Sequence, residues 1–102
     1  MISKAIKALI PSIQSCLELH PIKKAWLFGS CSRGEEREDS DVDILVQYED
    51  SDSMSLMKIC RVMCAIEDAI GRKVDLVEDG RLIAGAVESV NHDKILIYER
   101  AA

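Results

Sequence analysis

Several things are scarce in this chain. No apolar run approaches the ~18 residues a membrane span requires, and the N-terminus lacks the apolar core and cleavage site of a signal peptide, so the expected location is the cytoplasm. Basic residues are the minority, thirteen against eighteen acidic, for a net charge of −5. That argues against non-specific nucleic-acid binding, which works by counterion release from a basic footprint. Five glycines and two prolines, with no repeat or low-complexity stretch, exclude collagen-like, repeat and disordered architectures. None of the four cysteines forms a CxxC pair, and His20 and His92 sit in unrelated polar contexts. Zinc and disulfide frameworks are therefore set aside, and Cys16, Cys31, Cys60 and Cys64 are expected as buried or half-buried free thiols.

What remains is a chain of ordinary globular composition, 48% apolar and 30% charged. At 102 residues it has one domain's worth of length, and residues 1–102 are read as a single domain. Residues 2–19 carry Ile2, Ile6, Leu9, Ile13 and Leu17 at helical intervals, with Pro11 predicting a kink or a division into two short helices. Ile22 to Phe28 reads as a strand covered on both faces and therefore central in its sheet. A polar segment to Ser40 leaves room for one helical turn and a loop. Asp41 to Gln47 then alternates cleanly, with Val42, Ile44 and Val46 on one face and Asp41, Asp43, Leu45 and Gln47 on the other. Tyr48 to Ser53 reads as an acidic loop. Residues 54–70 form an amphipathic helix with Leu56, Ile59, Cys60, Met63, Ile66 and Ile70 on its stripe and Gly71 as C-cap. A strand at Lys73 to Val77, a weaker helix around 81–91 and a strand at Ile95 to Tyr98 complete the order α-β-α-β-α-β-α-β. This is an α/β domain with helices on one face of a sheet.

The distribution of carboxylates is the informative feature. Residues 35–53 hold nine of the eighteen, which by itself describes a solvated acidic loop. Asp41 and Asp43, however, share one face of a strand whose other face is apolar. Carboxylates at i and i+2 stand roughly 6–7 Å apart at ~3.3 Å rise per residue, and they repel unless a cation lies between them. Asp75 repeats the arrangement in a later strand. If the strands are neighbours, three carboxylates converge on one patch, a hard-oxygen site of the kind that holds magnesium against a triphosphate. A calcium loop is excluded: Ile44 stands where the loop glycine is required and Asp50 where the closing glutamate is required. Upstream, Gly29-Ser30 ends a strand, and a glycine there lets backbone N–H groups approach a phosphate. No Walker lysine follows, so this is not a P-loop. Arg33 is the nearest cation that could meet a phosphate.

Gly29-Ser30, ten intervening residues and then Asp41-x-Asp43 resemble the signature of the polymerase β-like nucleotidyltransferase superfamily. The stretch LFGSCSRGEEREDSDVDILV is similar throughout to the minimal nucleotidyltransferases, KVDLV at 73–77 to their third-aspartate strand, and ILIYE to their last strand. The resemblance implies an α-β-α-β-α-β core with a mixed sheet. It implies that Asp41, Asp43 and Asp75 are catalytic and hold two Mg2+ ions, and that Gly29 and Ser30 grip the phosphates of ATP, with Arg33 as a further nucleotide-binding residue. The reaction implied is in-line attack of a hydroxyl on the α-phosphorus, with pyrophosphate leaving.

Minimal nucleotidyltransferases of this size resemble the antitoxins encoded beside HEPN-type toxins, which move AMP onto a toxin tyrosine. A protein partner of that type is the expectation, with nucleic acid disfavoured, no membrane, and a homo-oligomer left open. Two other readings stay on the page: transfer to a small hydroxyl compound or RNA end without a partner chain, and a module that neutralises its partner by contact alone. Met54, Met57, Val62 and Cys64 lie outside the main stripe of the 54–70 helix. They suggest either a helix buried on two sides or a docking face for a partner or second copy.

Overall fold

The computed structural model describes residues 2–80 and 84–101, with the backbone alone for 84–86. Helix α1 spans Lys4–Glu18, and the hydroxyl of its N-cap Ser3 accepts a hydrogen bond from the Ile6 amide. It runs through Pro11 as one helix rather than dividing there. Pro11 and Lys7, whose carbonyl loses its donor, are both exposed, so water can take the place of the missing N–H. Strand β1 (Ile22–Phe28) leads into a single turn, α2 (Ser30–Arg33), and then a loop to β2 (Val42–Tyr48). A 3-10 turn at Ser51–Ser53 precedes α3 (Leu56–Ile70), capped by Ser55 at one end and by Gly71 in the left-handed region, φ 69°, at the other. Strand β3 (Val74–Glu78), α4 (Ala84–Asp93) and β4 (Ile95–Glu99) follow. Of the helix expected around 81–91, Arg81, Leu82 and Ile83 lie outside the described residues.

The sheet order is β3-β2-β1-β4, with β1 antiparallel to both β2 and β4 and β2 parallel to β3. The mixed α/β architecture and the central place of β1 are as the sequence predicts. Helices α1 and α3 bury Ile6, Ile13, Leu17, Val62 and Ile66 against Ala25, Leu27, Val42, Ile44, Val46 and Val74 on one sheet face. On the other face Leu45 is fully buried apart from that cluster, and Lys94 lies 4.7 Å over the Trp26 ring.

Three expectations are corrected. The buried stripe of α3 is Val62 and Ile66, flanked by Ile59, Met63 and Ile70, whereas Leu56 and Cys60 are exposed. The helix starts at Leu56, and its rotation places Val62 over the sheet, so Val62 belongs to the core and not to a docking face. Cys60 and Cys64 are likewise exposed, while Cys31 is buried and Cys16 half-buried. Tyr48 belongs to the core end of β2 rather than to the acidic loop.

Candidate active site

The sheet register assembles the site. Phe28 at the end of β1 stands opposite Asp43 on β2, and Asp43 stands opposite Asp75 on the neighbouring parallel strand. Alternation along β2 sends Val42 and Ile44 into the core and leaves Asp43 and Leu45 on the opposite face. Asp41 lies just before β2, outside the strand, and is exposed, as is Asp75; Asp43 is half-buried. The sheet therefore brings Asp41, Asp43 and Asp75 to one end of β2 and β3.

Asp43 has company it would avoid in isolation. Burial, then the charges of Asp75 and Asp41, push its carboxyl from an ordinary 3.8 up to about 6, while Arg33 pulls the other way. A cation would relieve that repulsion. Among the described residues no three His, Cys, Asp or Glu side chains close around a single point. The donor set nonetheless fits magnesium, which takes one or two carboxylates and completes its shell with water and substrate phosphates rather than an all-protein cage.

Gly29 forms the wall facing Asp43. Its φ of 70° and ψ of −152° are accessible essentially to glycine alone, and a Cβ there would lie 2.5 Å from Asp43 Oδ2. The turn after it is tied down: Ser32 Oγ donates to the Gly29 carbonyl at 2.7 Å, and the Glu35 amide to the Ser30 carbonyl at 3.0 Å. Ser30 is half-buried at the start of α2, next to Gly29. Arg33 is exposed and ion-paired to Glu35 and Asp93, each at 2.6 Å, so in this structure it joins α2 to α4.

Two residues escape the sequence reading. Ser32 is buried and locks the glycine turn, yet it sits in a polar stretch where nothing marks it as fixed. Arg72 follows a helix cap and reads as a solvent-facing charge. In the structure it is half-buried, donates to the carbonyls of Arg37 and Ser40, and lines an open hollow of about 400 Å³ beside Asp41. Its partners lie more than thirty residues away, which no local pattern discloses.

Comparisons with known proteins bear on the family and the fold. MntA of Thermococcus cleftensis, named a protein adenylyltransferase, is 37% identical over 76 residues, 74% of this chain and 75% of that one. Matches to the curated relatives span from 58% to 81% of their lengths, and for a Methanocaldococcus jannaschii relative at 38% identity, 60%. A solved structure provisionally described as a minimal nucleotidyltransferase is 33% identical, with a TM-score of 0.76 over 93% of this chain and 95% of that one. Two toxin–antitoxin structures share the fold. One, with AMP-PNP, has a TM-score of 0.76 at 22% identity, covering 89% of this chain and 73% of that one. The other is a tri-AMPylated Shewanella oneidensis HEPN toxin in complex with its MNT antitoxin, with a TM-score of 0.70 at 18% identity over 93% and 73%. Among the described residues no helix is long and apolar enough to cross a membrane. Residues 12–102 match the family described as polymerase beta, nucleotidyltransferase, and the chain belongs to that family.

Proposed function

We propose that this chain is a magnesium-dependent adenylyltransferase that moves AMP from ATP to a hydroxyl group of a protein partner. The observation that carries the reading is Asp43 held opposite Asp75, with Asp41 two residues upstream and the backbone of Gly29 against the Asp43 carboxylate. Asp41, Asp43 and Asp75 would hold two magnesium ions. Such ions, when bound, offset phosphate charge and favour loss of the acceptor's proton. Gly29 and Ser30 would receive the β- and γ-phosphates, where the absence of a side chain at Gly29 allows close approach. Arg33 would turn to a phosphate by exchanging exposed ion pairs, which are worth little. Asp75, exposed on an edge strand, would accept the proton of an incoming hydroxyl as its oxygen bonds to the α-phosphorus and pyrophosphate leaves.

The acceptor we assign is a tyrosine of a HEPN-type toxin, with this chain in the antitoxin role, by extension from the Shewanella complex. Two exposed free thiols, Cys60 and Cys64, suit a reducing cytoplasm as the place of action. Residues 1–102 are taken as one catalytic domain.

The test is transfer of label from α-labelled ATP with magnesium in lysate of the source cell, with products separated into protein, nucleic acid and small molecules. Label on one protein band, absent with Asp41→Ala/Asp43→Ala, is the expected result. Label in another fraction gives precedence to a small-molecule or RNA acceptor. No mutant-sensitive label with any nucleotide leaves neutralisation by contact alone.

A further inference from the structure

The loop that delivers Asp41 has little packing of its own. From Gly34 to Asp41 every residue except Glu36 and Ser40 is exposed, and five of the eight are carboxylates that repel one another. Its conformation depends on a few hydrogen bonds. The Ser40 amide donates to the Arg37 carbonyl at 3.1 Å, and the Arg37 amide donates back to Ser40 Oγ at 2.8 Å, closing a tight turn directly before Asp41. The carbonyls of the turn's first and last residues also share one side-chain donor. A single Arg72 amino group donates to Arg37 O at 2.9 Å and to Ser40 O at 2.7 Å. Cys31 Sγ approaches Asp41 O at 3.6 Å from the other side, and the Val42 amide donates to the Lys73 carbonyl at 2.9 Å.

From this we infer that Arg72 is a positioning residue for Asp41: it fixes the turn at 37–40 so that the Asp41 carboxylate is presented beside Asp43 for metal. The inference rests on the proposed reading of Asp41 as a metal ligand. Arginine suits the task on three counts. It stays charged at every working pH, its hydrogen bonds to carbonyls are charge-assisted, and its charge opposes the repulsion within an acidic loop. It lies on the segment between α3 and β3, so it couples the start of β3, which carries Asp75, to the turn that carries Asp41.

The test compares the wild type with Arg72→Met, which keeps the stem and removes the donors, Arg72→Lys, which restores donors, and Lys73→Ala as an exposed neighbour. The probes are Mn2+, read by the paramagnetic resonance of the free ion, and α,β-methylene ATP, with backbone amide exchange followed in parallel. In Arg72→Met the amides of β1 and β2 keep their protection and that of Ser40 loses it. The Mn2+ dissociation constant rises about 10- to 100-fold, the range found when groups supporting a ligand are removed. Arg72→Lys recovers part of the loss, and Lys73→Ala behaves as wild type. Mn2+ binding to Arg72→Met with wild-type affinity overturns the inference. So does a loss confined to α,β-methylene ATP, because Arg72 would then be touching nucleotide. Should Arg72→Met fail to fold, Arg72→Gln carries the same comparison. Wild-type protein that binds Mn2+ but transfers no label anywhere would sink the proposed function and leave the Arg72 result standing; wild-type protein that binds no Mn2+ would sink both.

Discussion

A methyl group on Gly29 would stand 2.5 Å from Oδ2 of Asp43, closer than two such atoms can remain. The approach joins the strand end of β1 to the carboxylate row on β2 and β3, so glycine at position 29 serves the carboxylate as much as any phosphate. Gly29→Ala meets two penalties at once. Its backbone region costs an ordinary residue about 1–3 kcal/mol, and Asp43 must rotate or the turn must open. The expected outcome is a lowered melting temperature together with loss of Mn2+ binding and of label transfer. Thermal melts alongside the Mn2+ titration check both parts.

The carboxyl of Asp43, raised to about 6, makes the metal-free protein sensitive to pH in a direction opposite to that of carboxylates held in ion pairs. Below pH ~4 the folded and unfolded chains both hold the proton; between ~4 and ~6 the folded chain alone retains it, so stability declines as pH rises through that window. Asp43→Asn removes the ionisation. At about pH 8 with chelator present, the variant should be more stable than wild type, by about 1 kcal/mol after allowing for solvent screening. The difference should vanish below pH ~4. Adding Mg2+ should stabilise wild type and leave Asp43→Asn unmoved, and melts at each pH read all three.

What was legible in the sequence follows from what leaves a local trace. Alternation through Val42, Ile44 and Val46 marked β2 and the face of Asp43, and Gly71 marked the end of α3. The register that sets Asp43 opposite Asp75 is a relation between strands about thirty residues apart, so neither segment encodes it alone. The phase of α3 was misread because each position turns the helix by about 100°, so Ile59, Met63, Ile66 and Ile70 fit both stripes, with Leu56 and Cys60 flanking them on one side and Val62 on the other. Arg72 was invisible for another reason. Its partners are backbone carbonyls, which every residue type provides equally.

Arg100 poses the same problem at the opposite end of β1, remote from Gly29. Its guanidinium donates to the carbonyls of Ile22, Glu18, His20 and Leu17 and pairs with Glu49 at 2.7 Å, closing the C-terminus of α1 onto the sheet. Arg100→Met removes the shared charged donor, leaving the Leu17 and His20 carbonyls only the amides of His20 and Ile22, and should cost roughly 2–3 kcal/mol, on the scale of charged hydrogen bonds. Mn2+ affinity should stay at the wild-type value. Chemical denaturation measures the first, and a changed Mn2+ affinity would contradict the separation of the two ends.

The corrected phase of α3 separates two substitutions that the sequence placed on one surface. Val62 is 1% exposed in the core beneath α1, whereas Met57, five residues earlier, is 68% exposed. An aspartate at position 62 would bury a charge with no partner provided for it, and the chain should fail to fold or collapse loosely. At position 57 the new carboxylate enters water, with Arg61 one turn along as a neighbour. The change should stay within about 0.5 kcal/mol, as surface substitutions generally do. Circular dichroism melts of Val62→Asp and Met57→Asp distinguish the two. A cooperative, wild-type-like transition for Val62→Asp would return that residue to the surface and restore the stripe drawn from the sequence.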